Sequence, residues 1–409
     1  MEFTEQEMQG QRKRDVVIVS GVRTAIGKFG GGLKDLPPTE LGALVVREAL
    51  GRAGVSGDQV GHVVFGNVIA TEPKDFYLAR VAAVAGGVSQ ETPALTVNRL
   101  CGSGLQAIIS AAQSIILGDA TVAVAGGAES MSRAPYVSPD TRFGARMGET
   151  RLIDMMMGAL TDPFYDIPMG ATAENVARKF GITREQQDAL AVESHRRAQR
   201  AIVEGRFKTQ IVPVTYKLKG RDVVVDTDEH VRHDLDPAEL ASLHPAFEKS
   251  NGTVTAGNAS GINDGAAAVV LMDREAAEGQ GMTPLLRLVS YAHAGVDPRY
   301  MGVGPVRATR LALERANLRI EDIDVIEANE AFAAQACAVS QELGLDAARV
   351  NPNGSGIALG HPIGATGAII TVKAMYELKR TGGRFALVTM CIGGGQGIAA
   401  VFENIQPAQ

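Results

Sequence analysis

The chain has 409 residues, 45% of them apolar and 21% charged, with a formal net charge of −6. That length exceeds one small core and predicts two or more domains of ordinary globular composition. No basic tract stands out, and tryptophan is absent, which argues against nucleic acid, anionic membrane or a base-stacking surface.

Three widely spaced cysteines make no disulfide framework and point to a reducing, cytoplasmic compartment. The polar start, residues 1–14, reads as a disordered leader without the apolar core of a signal peptide. No run approaches the ~18 apolar residues of a membrane span.

Asp15-Val-Val-Ile-Val-Ser20 is a continuous β-branched run, as expected of a strand buried on both faces. A glycine-rich loop, Gly21 to Gly32, follows. Helix, strand and helix are then predicted over Glu40 to Ala53, His62 to Phe65 and Asp75 to Ala85. After Cys101, Leu105, Ile108, Ile109, Ala112, Ile115 and Ile116 make a helix apolar nearly all round, ending at Gly118. Such a helix belongs in the centre of the molecule. Thr121 to Ala125 is a buried strand. From about Ser132 to Val254 charges, methionines and prolines rise and helices dominate, so this region reads as an insertion. Inside it Thr183-Arg-Glu-Gln186 is a capping box opening a helix to about Gly205. Gly265 to Asp273 resumes the buried-strand pattern.

The chain also carries a diverged duplication. Ala53-Gly-Val55 and Asp58-Gln-Val60 precede the strand His62 to Phe65. Ala316-Asn-Leu318 and Glu321-Asp-Ile323 precede the strand Val325 to Glu327. Cys101-Gly-Ser-Gly104 corresponds to Gly364-Ala-Thr-Gly367, each opening a buried helix. A strand follows in both places, Thr121 to Ala125 and Phe385 to Met390. Two βαβ-type halves packed face to face would form one site between them.

Reactive side chains gather beside small residues in four segments. These are Asn98-Arg-Leu-Cys101-Gly-Ser-Gly104, Glu327-Ala-Asn329-Glu330-Ala-Phe332, Ala358-Leu-Gly-His361-Pro-Ile-Gly-Ala365 and Met390-Cys391-Ile-Gly393-Gly-Gly-Gln-Gly397. Cys101 stands at a loop-to-helix junction, where helix-end amides lower a thiol pKa and offer donors to an oxyanion. A lone cysteine is also often a small buried hydrophobe. Cys391 at a strand end reads equally as a catalytic group or as core. His361 in a Gly-His-Pro turn reads as a base or as a structural histidine. Asn329 reads as an oxyanion or water ligand, or as a helix cap. Cys337 is expected in the core, Met155, Met156 and Met157 as core filler, and His195, His230, His233 and His244 on solvated faces.

Together the four segments resemble the thiolase family, closest to bacterial β-ketothiolases and acetyl-CoA acetyltransferases. The resemblance covers about Asp15 to Glu403. It implies an α/β fold of duplicated βαβ halves in a layered αβαβα arrangement with a mostly helical inserted loop domain. Its divisions would be 15–273, with the insertion at about 132–254, and 281–405. It implies reversible Claisen condensation of acyl-CoA with acetyl-CoA, or thiolysis of 3-ketoacyl-CoA, through a cysteine acyl-enzyme. Cys101 would take the acyl group, His361 its proton, and Cys391 would act as acid and base on the α-carbon. Asn329 would hold a water that, with His361, binds one thioester oxygen, and the N–H groups of Cys101 and Gly393 would form a second oxyanion hole. Arg232, Ser260, Ala256, Leu160, Met169, Phe247, Ala331 and Phe332 match positions along the coenzyme A and acyl channel. No metal or redox cofactor is implied, and a homo-oligomer, dimer or tetramer, is. Pro168 stands where many short-chain relatives carry His, which removes a polar contact, argues against strict acetoacetyl specificity and leaves longer or branched 3-ketoacyl chains open, with short to medium chains expected. Glu239 stands where several relatives carry a small polar residue near the nucleotide. A ketoacyl-synthase-like condensing enzyme and a non-catalytic CoA or lipid carrier are the alternatives on this scaffold.

Overall fold

The structure, a computed structural model, describes residues 14–406, so the expected leader lies, except for Arg14, outside the described residues. Among the described residues the central sheet has eleven strands, nine of them along its path: β1 (Val16–Thr24), β2 (His62–Gly66), β3 (Ala94–Val97), β4 (Val122–Ser130), β5 (Asn263–Asp273), β6 (Leu286–Gly295), β7 (Val325–Ala328), β8 (Phe385–Ile392) and β9 (Gln396–Asn404); the two-residue strands Gly27–Lys28 and Ile211–Val212 pair with β5 and β1 off that path. The helices that bear on the site are α1 (Pro38–Ala53), α2 (Leu78–Ala85), α3 (Ser103–Leu117), α4 (Met169–Phe180), α5 (Arg184–Val203), α6 (Gly304–Ala316), α7 (Ala333–Leu343) and α8 (Thr366–Thr381).

The strand order is β7-β8-β9-β6-β1-β5-β4-β2-β3, and the duplication is visible in it. In one half β2 pairs parallel with β4, β4 antiparallel with β5, and β5 antiparallel with β1. In the other β7 pairs parallel with β8, β8 antiparallel with β9, and β9 antiparallel with β6. The halves join where β1 meets β6 over only two residue pairs, Val17 with Arg287 and Ile18 with Leu286. Helices α3 and α8 pack on each other between the halves, while α1 covers the far side of the first and α6 that of the second. The result is five layers, α, β, α, β, α.

Burial explains the elements. Every residue of β1 and β4 is buried, as a strand covered on both faces requires. Both strands outrun the sequence expectation. β1 continues through Gly21 to Thr24 and β4 through Gly126 and Gly127 to Ser130, because these glycines lie flat against neighbours rather than turning. Arg23 is buried by the extension, and Asp228 (2.7 Å) and Gln210 (2.8 Å) satisfy it. The expected helix over 75–85 divides into a 3-10 turn, Pro73–Tyr77, and α2. Leu100–Leu117 corrects a second expectation, since by length and composition alone it would cross a membrane. Here it is α3, wrapped by strands and α8, and Gly118 caps it at φ 91°.

The insertion is built on α4 and α5, with three short ribbons beside them. The capping box forms as read, with the Thr183 hydroxyl accepting from Gln186 N–H and the Gln186 side chain accepting from Thr183 N–H.

Candidate active site

Cys101 follows Leu100, whose φ of 45° puts a branched side chain in the left-handed region. Three contacts hold that strained turn. Gly102 N–H donates to Arg99 O (3.0 Å), Ser103 N–H to Leu100 O (2.9 Å) and Arg99 N–H to Ser103 Oγ (2.8 Å). The turn places Cys101 two residues before α3 begins. The N–H groups of Cys101 and Gly393 both meet its sulfur and favour the thiolate. Burial outweighs them and pushes the thiol up to about 11, with the Glu129 carboxylate adding to the rise. The expected net lowering by the helix end is therefore overturned by desolvation.

His361 comes from the turn before α8. Gly360, at φ 112°, reaches the angle the turn needs, and a Cβ there would lie 2.5 Å from Asn263 Cγ. Asn263 Oδ1 accepts the His361 backbone N–H at 2.9 Å. The Thr366 hydroxyl donates its one proton to Pro362 O (2.9 Å) and lies 2.7 Å from His361 Nδ1. It therefore accepts from Nδ1–H, which leaves the lone pair on Nε2. Burial holds the imidazole down to about 4, so it is neutral and ready to take a proton.

The two halves meet through glycine at this turn. A Cβ on Gly127 would lie 2.3 Å from Gly364 O, one on Gly66 2.6 Å and one on Gly104 3.2 Å. Three glycines of the first half thus cradle a carbonyl of the second, which brings the His361 turn down onto the start of α3.

Asn329, from the end of β7, puts Nδ2 3.4 Å from both ring nitrogens of His361, and its buried Oδ1 has no partner among the described residues. Cys391 is wholly buried near the end of β8. Burial first, and then the neighbouring Cys101, raise its thiol well above the ordinary range. Two apolar walls flank the pair. Met169, Met301, Ala331 and Phe332 pack with Cys391. Leu160, Met156, Ile69 and Ile363 pack with Cys101. Two cysteines and two backbone donors thus meet, and the His361–Asn329 pair stands on the turn whose Ile363 packs against Cys101, a low-dielectric arrangement suited to acyl transfer through sulfur.

Residues 16–275 match the family model described as thiolase, N-terminal domain, and residues 282–404 that of thiolase, C-terminal domain. The chain belongs to the thiolase family. It is 71% identical over 392 residues to beta-ketothiolase BktB of Cupriavidus necator, covering 96% of this chain and 100% of that protein. It is 52% identical to an acetyl-CoA acetyltransferase of Pseudomonas aeruginosa, covering 94% of this chain and 98% of that one. Among solved structures, Bacillus anthracis acetyl-CoA acetyltransferase superposes with a TM-score of 0.95 at 47% identity, covering 97% and 100% of the two chains. Human mitochondrial 3-ketoacyl-CoA thiolase in complex with CoA gives 0.93 at 43%, covering 96% and 98%. This thiolase is accordingly an acyltransferase of Claisen condensation and thiolysis.

The channel residues named from the thiolase resemblance fall in two groups. Leu160, Met169, Ala331 and Phe332 line the walls just described, and Phe247 meets Phe332 edge-on at 6.2 Å. Ser260 is tied to the same wall, its N–H donating to Ala331 O at 2.9 Å. Arg232 and Glu239 stand exposed on the insertion, and Ala256 is exposed just after it. The Arg232 backbone N–H donates to His195 Nδ1 at 3.1 Å.

Three expectations fail. His195 is buried rather than solvated, its ring held down to about 4 by desolvation, and His230 is half-buried against Gly261. Met155 and Met157 are exposed rather than core, because the five-residue helix Met155–Ala159 lies on the surface of the insertion. Cys337, on α7, is only half-buried.

Sequence reading missed Thr366, Asn263, Met301 and Glu129. A polar residue inside a buried run is the signal that Thr366, Asn263 and Glu129 left, most plainly Glu129 at the end of β4; Met301 left none.

Proposed function

We propose that Cys101 is the nucleophile, His361 its base and Cys391 the acid and base at the α-carbon. The observation that carries this is the meeting of the Cys101 sulfur with the Gly393 N–H beside Cys391, while the neutral, buried His361 stands on the turn whose Ile363 packs against Cys101. With a thiol near 11 and an imidazole near 4, the resting pair is uncharged. The proton moves to Nε2 as sulfur attacks the thioester carbonyl, whose oxygen takes up the charge. The bond to the departing coenzyme A sulfur then breaks and that thiolate takes the proton from His361. Each hole donor is worth roughly 3–4 kcal/mol to such an oxyanion. In condensation Cys391 removes the α-proton of the second acetyl thioester; in thiolysis it returns a proton to the leaving enolate. The unpartnered Asn329 Oδ1 supports its reading as the residue that orders a water at one thioester oxygen.

The substrates are CoA thioesters, with Arg232, Ser260 and Ala256 along the nucleotide and pantetheine path and Leu160, Met169, Phe247, Ala331 and Phe332 along the acyl path. No further cofactor enters the scheme. The flexible Met169 and Met301 side chains beside Cys391 support short to medium acyl chains, as does Pro168. The name of the Cupriavidus relative supports a place in 3-ketoacyl metabolism. We read the chain as two thiolase halves, 15–273 with an insertion at about 132–254, and 281–405. A cytoplasmic homo-oligomer, dimer or tetramer, completes the reading. Phe143 and Met147, 93% and 95% exposed in the loop 133–148, support that loop as an assembly contact.

Thiolysis of 3-ketoacyl-CoA across chain lengths, followed by loss of the 3-ketoacyl absorbance, tests this. Turnover of short and medium chains is expected, and turnover confined to one chain length would overturn the specificity proposed.

A further inference from the structure

Glu129 stands at the end of β4, wholly buried. Its two oxygens accept four hydrogen bonds. Asn67 Nδ2 (3.0 Å) and Ile69 N–H (3.2 Å) donate to Oε1, and Val68 N–H (3.0 Å) and Gly364 N–H (2.9 Å) to Oε2. Asn67, Val68 and Ile69 follow β2 in the first half, whereas Gly364 belongs to the turn that carries His361 in the second. One carboxylate therefore ties the halves together beside the nucleophile, and its charge is felt at Cys101. The fit is close, since a Cβ on Gly364 would lie 2.5 Å from Glu129 Oε2.

We propose that Glu129 is a positioning residue for acyl transfer: it fixes the His361 turn against the loop 67–69 and places a negative charge beside the Cys101 thiol. This rests on the roles proposed above for Cys101 and His361.

Burial, reinforced by the Asp75 carboxylate, pushes the Glu129 carboxyl up to about 8. Yet the four groups bonded to it are all donors, and a protonated carboxyl would set its own O–H against one of them, so these bonds favour the ionised form against burial. A buried charge used in this way serves geometry rather than net stability. It keeps the imidazole at a fixed reach from the sulfur. It also adds to the burial that keeps Cys101 a thiol until the acyl group arrives, which guards the nucleophile from other electrophiles.

The test compares wild type, Glu129→Gln and Glu129→Asp as full-length proteins. Three readouts are taken: the pH profile of Cys101 alkylation by iodoacetamide, kcat and KM for CoA in thiolysis, and acetylation of Cys101 by acetyl-CoA seen by mass spectrometry. Removing the charge in Glu129→Gln is expected to move the alkylation profile to lower pH, a shift that a merely structural role would not produce. It is also expected to lower kcat about 10- to 100-fold through a displaced His361, with little change in KM for CoA. Glu129→Asp keeps the charge but shortens the reach, so its kcat falls while its alkylation profile stays nearer that of wild type. An unchanged profile and unchanged kcat in Glu129→Gln overturn the proposal. Should that variant not fold, an unchanged kcat in Glu129→Asp overturns it, and a lowered kcat at constant KM supports it. Wild type that gains no acetyl group on Cys101 would instead refute the underlying roles, whatever the variants do.

Discussion

Gly127→Ala probes how the two halves are joined. The added Cβ would lie 2.3 Å from Gly364 O and 2.9 Å from Ala365 Cα. Both are backbone atoms and neither can rotate away. Carbon and oxygen ordinarily approach to about 3.3 Å, so the turn must retreat by about 1 Å. Overpacking of this kind costs about 1–3 kcal/mol. His361 begins the same turn, and a displacement of about 1 Å in a reacting group costs on the order of 100-fold in rate. The variant should therefore lose both urea resistance and thiolysis kcat, with kcat hit harder than the stability change alone requires. Gly51→Ala is the control, because it lies within α1 with open space where its Cβ would be. That change should be neutral or stabilise by up to about 1 kcal/mol. Wild-type kcat and wild-type urea midpoint in Gly127→Ala would refute the argument that glycine contacts seat the catalytic histidine.

Two further outcomes follow from the histidines. Thr366→Val keeps the shape but removes the acceptor for His361 Nδ1–H; Cys101 acylation, timed by quenched flow, should slow by about 100-fold, and an unchanged rate would mean that the tautomer is fixed elsewhere. Burial holds His293 down to about 4, against roughly 6.5 unfolded, so between these values the unfolded chain binds the extra proton. Its contribution is intact above about pH 6.5 and is lost as pH falls through 4. The urea midpoint of His293→Gln should therefore gain on that of wild type between pH 7.5 and 4.5, and a constant difference would contradict the assignment.

Much of this candidate site was legible because Cys101, His361 and Cys391 each lie in a short glycine-flanked segment, and glycine marks where backbone comes close; Asn329 has no glycine beside it. The matching order of elements around Cys101 and Gly364 also exposed the two halves before any contact was known. What stayed hidden was long-range. Gly66, Gly104 and Gly127 look unrelated along the chain, yet all three receive the same carbonyl. Glu129 and Arg23 sit inside apolar runs, where their charge is satisfied only by residues far away in sequence. His195 misled for the same reason, since its polar neighbours along α5 suggest a solvated face while the loop at Arg232 covers it. The position of Met155 and Met157 was lost because hydrophobicity alone does not say which face of a short helix packs; Met156 between them does pack.

Peptide mass spectrometry after brief exposure to labelled acetyl-CoA tests the assignment of the two cysteines most directly. Wild type should carry the label on Cys101. Cys391→Ser should carry it there as well but form no acetoacetyl-CoA, and Cys101→Ser should form no stable thioester and show no turnover. Label found on Cys391 in wild type, or a Cys101→Ala variant that still turns over, would contradict it.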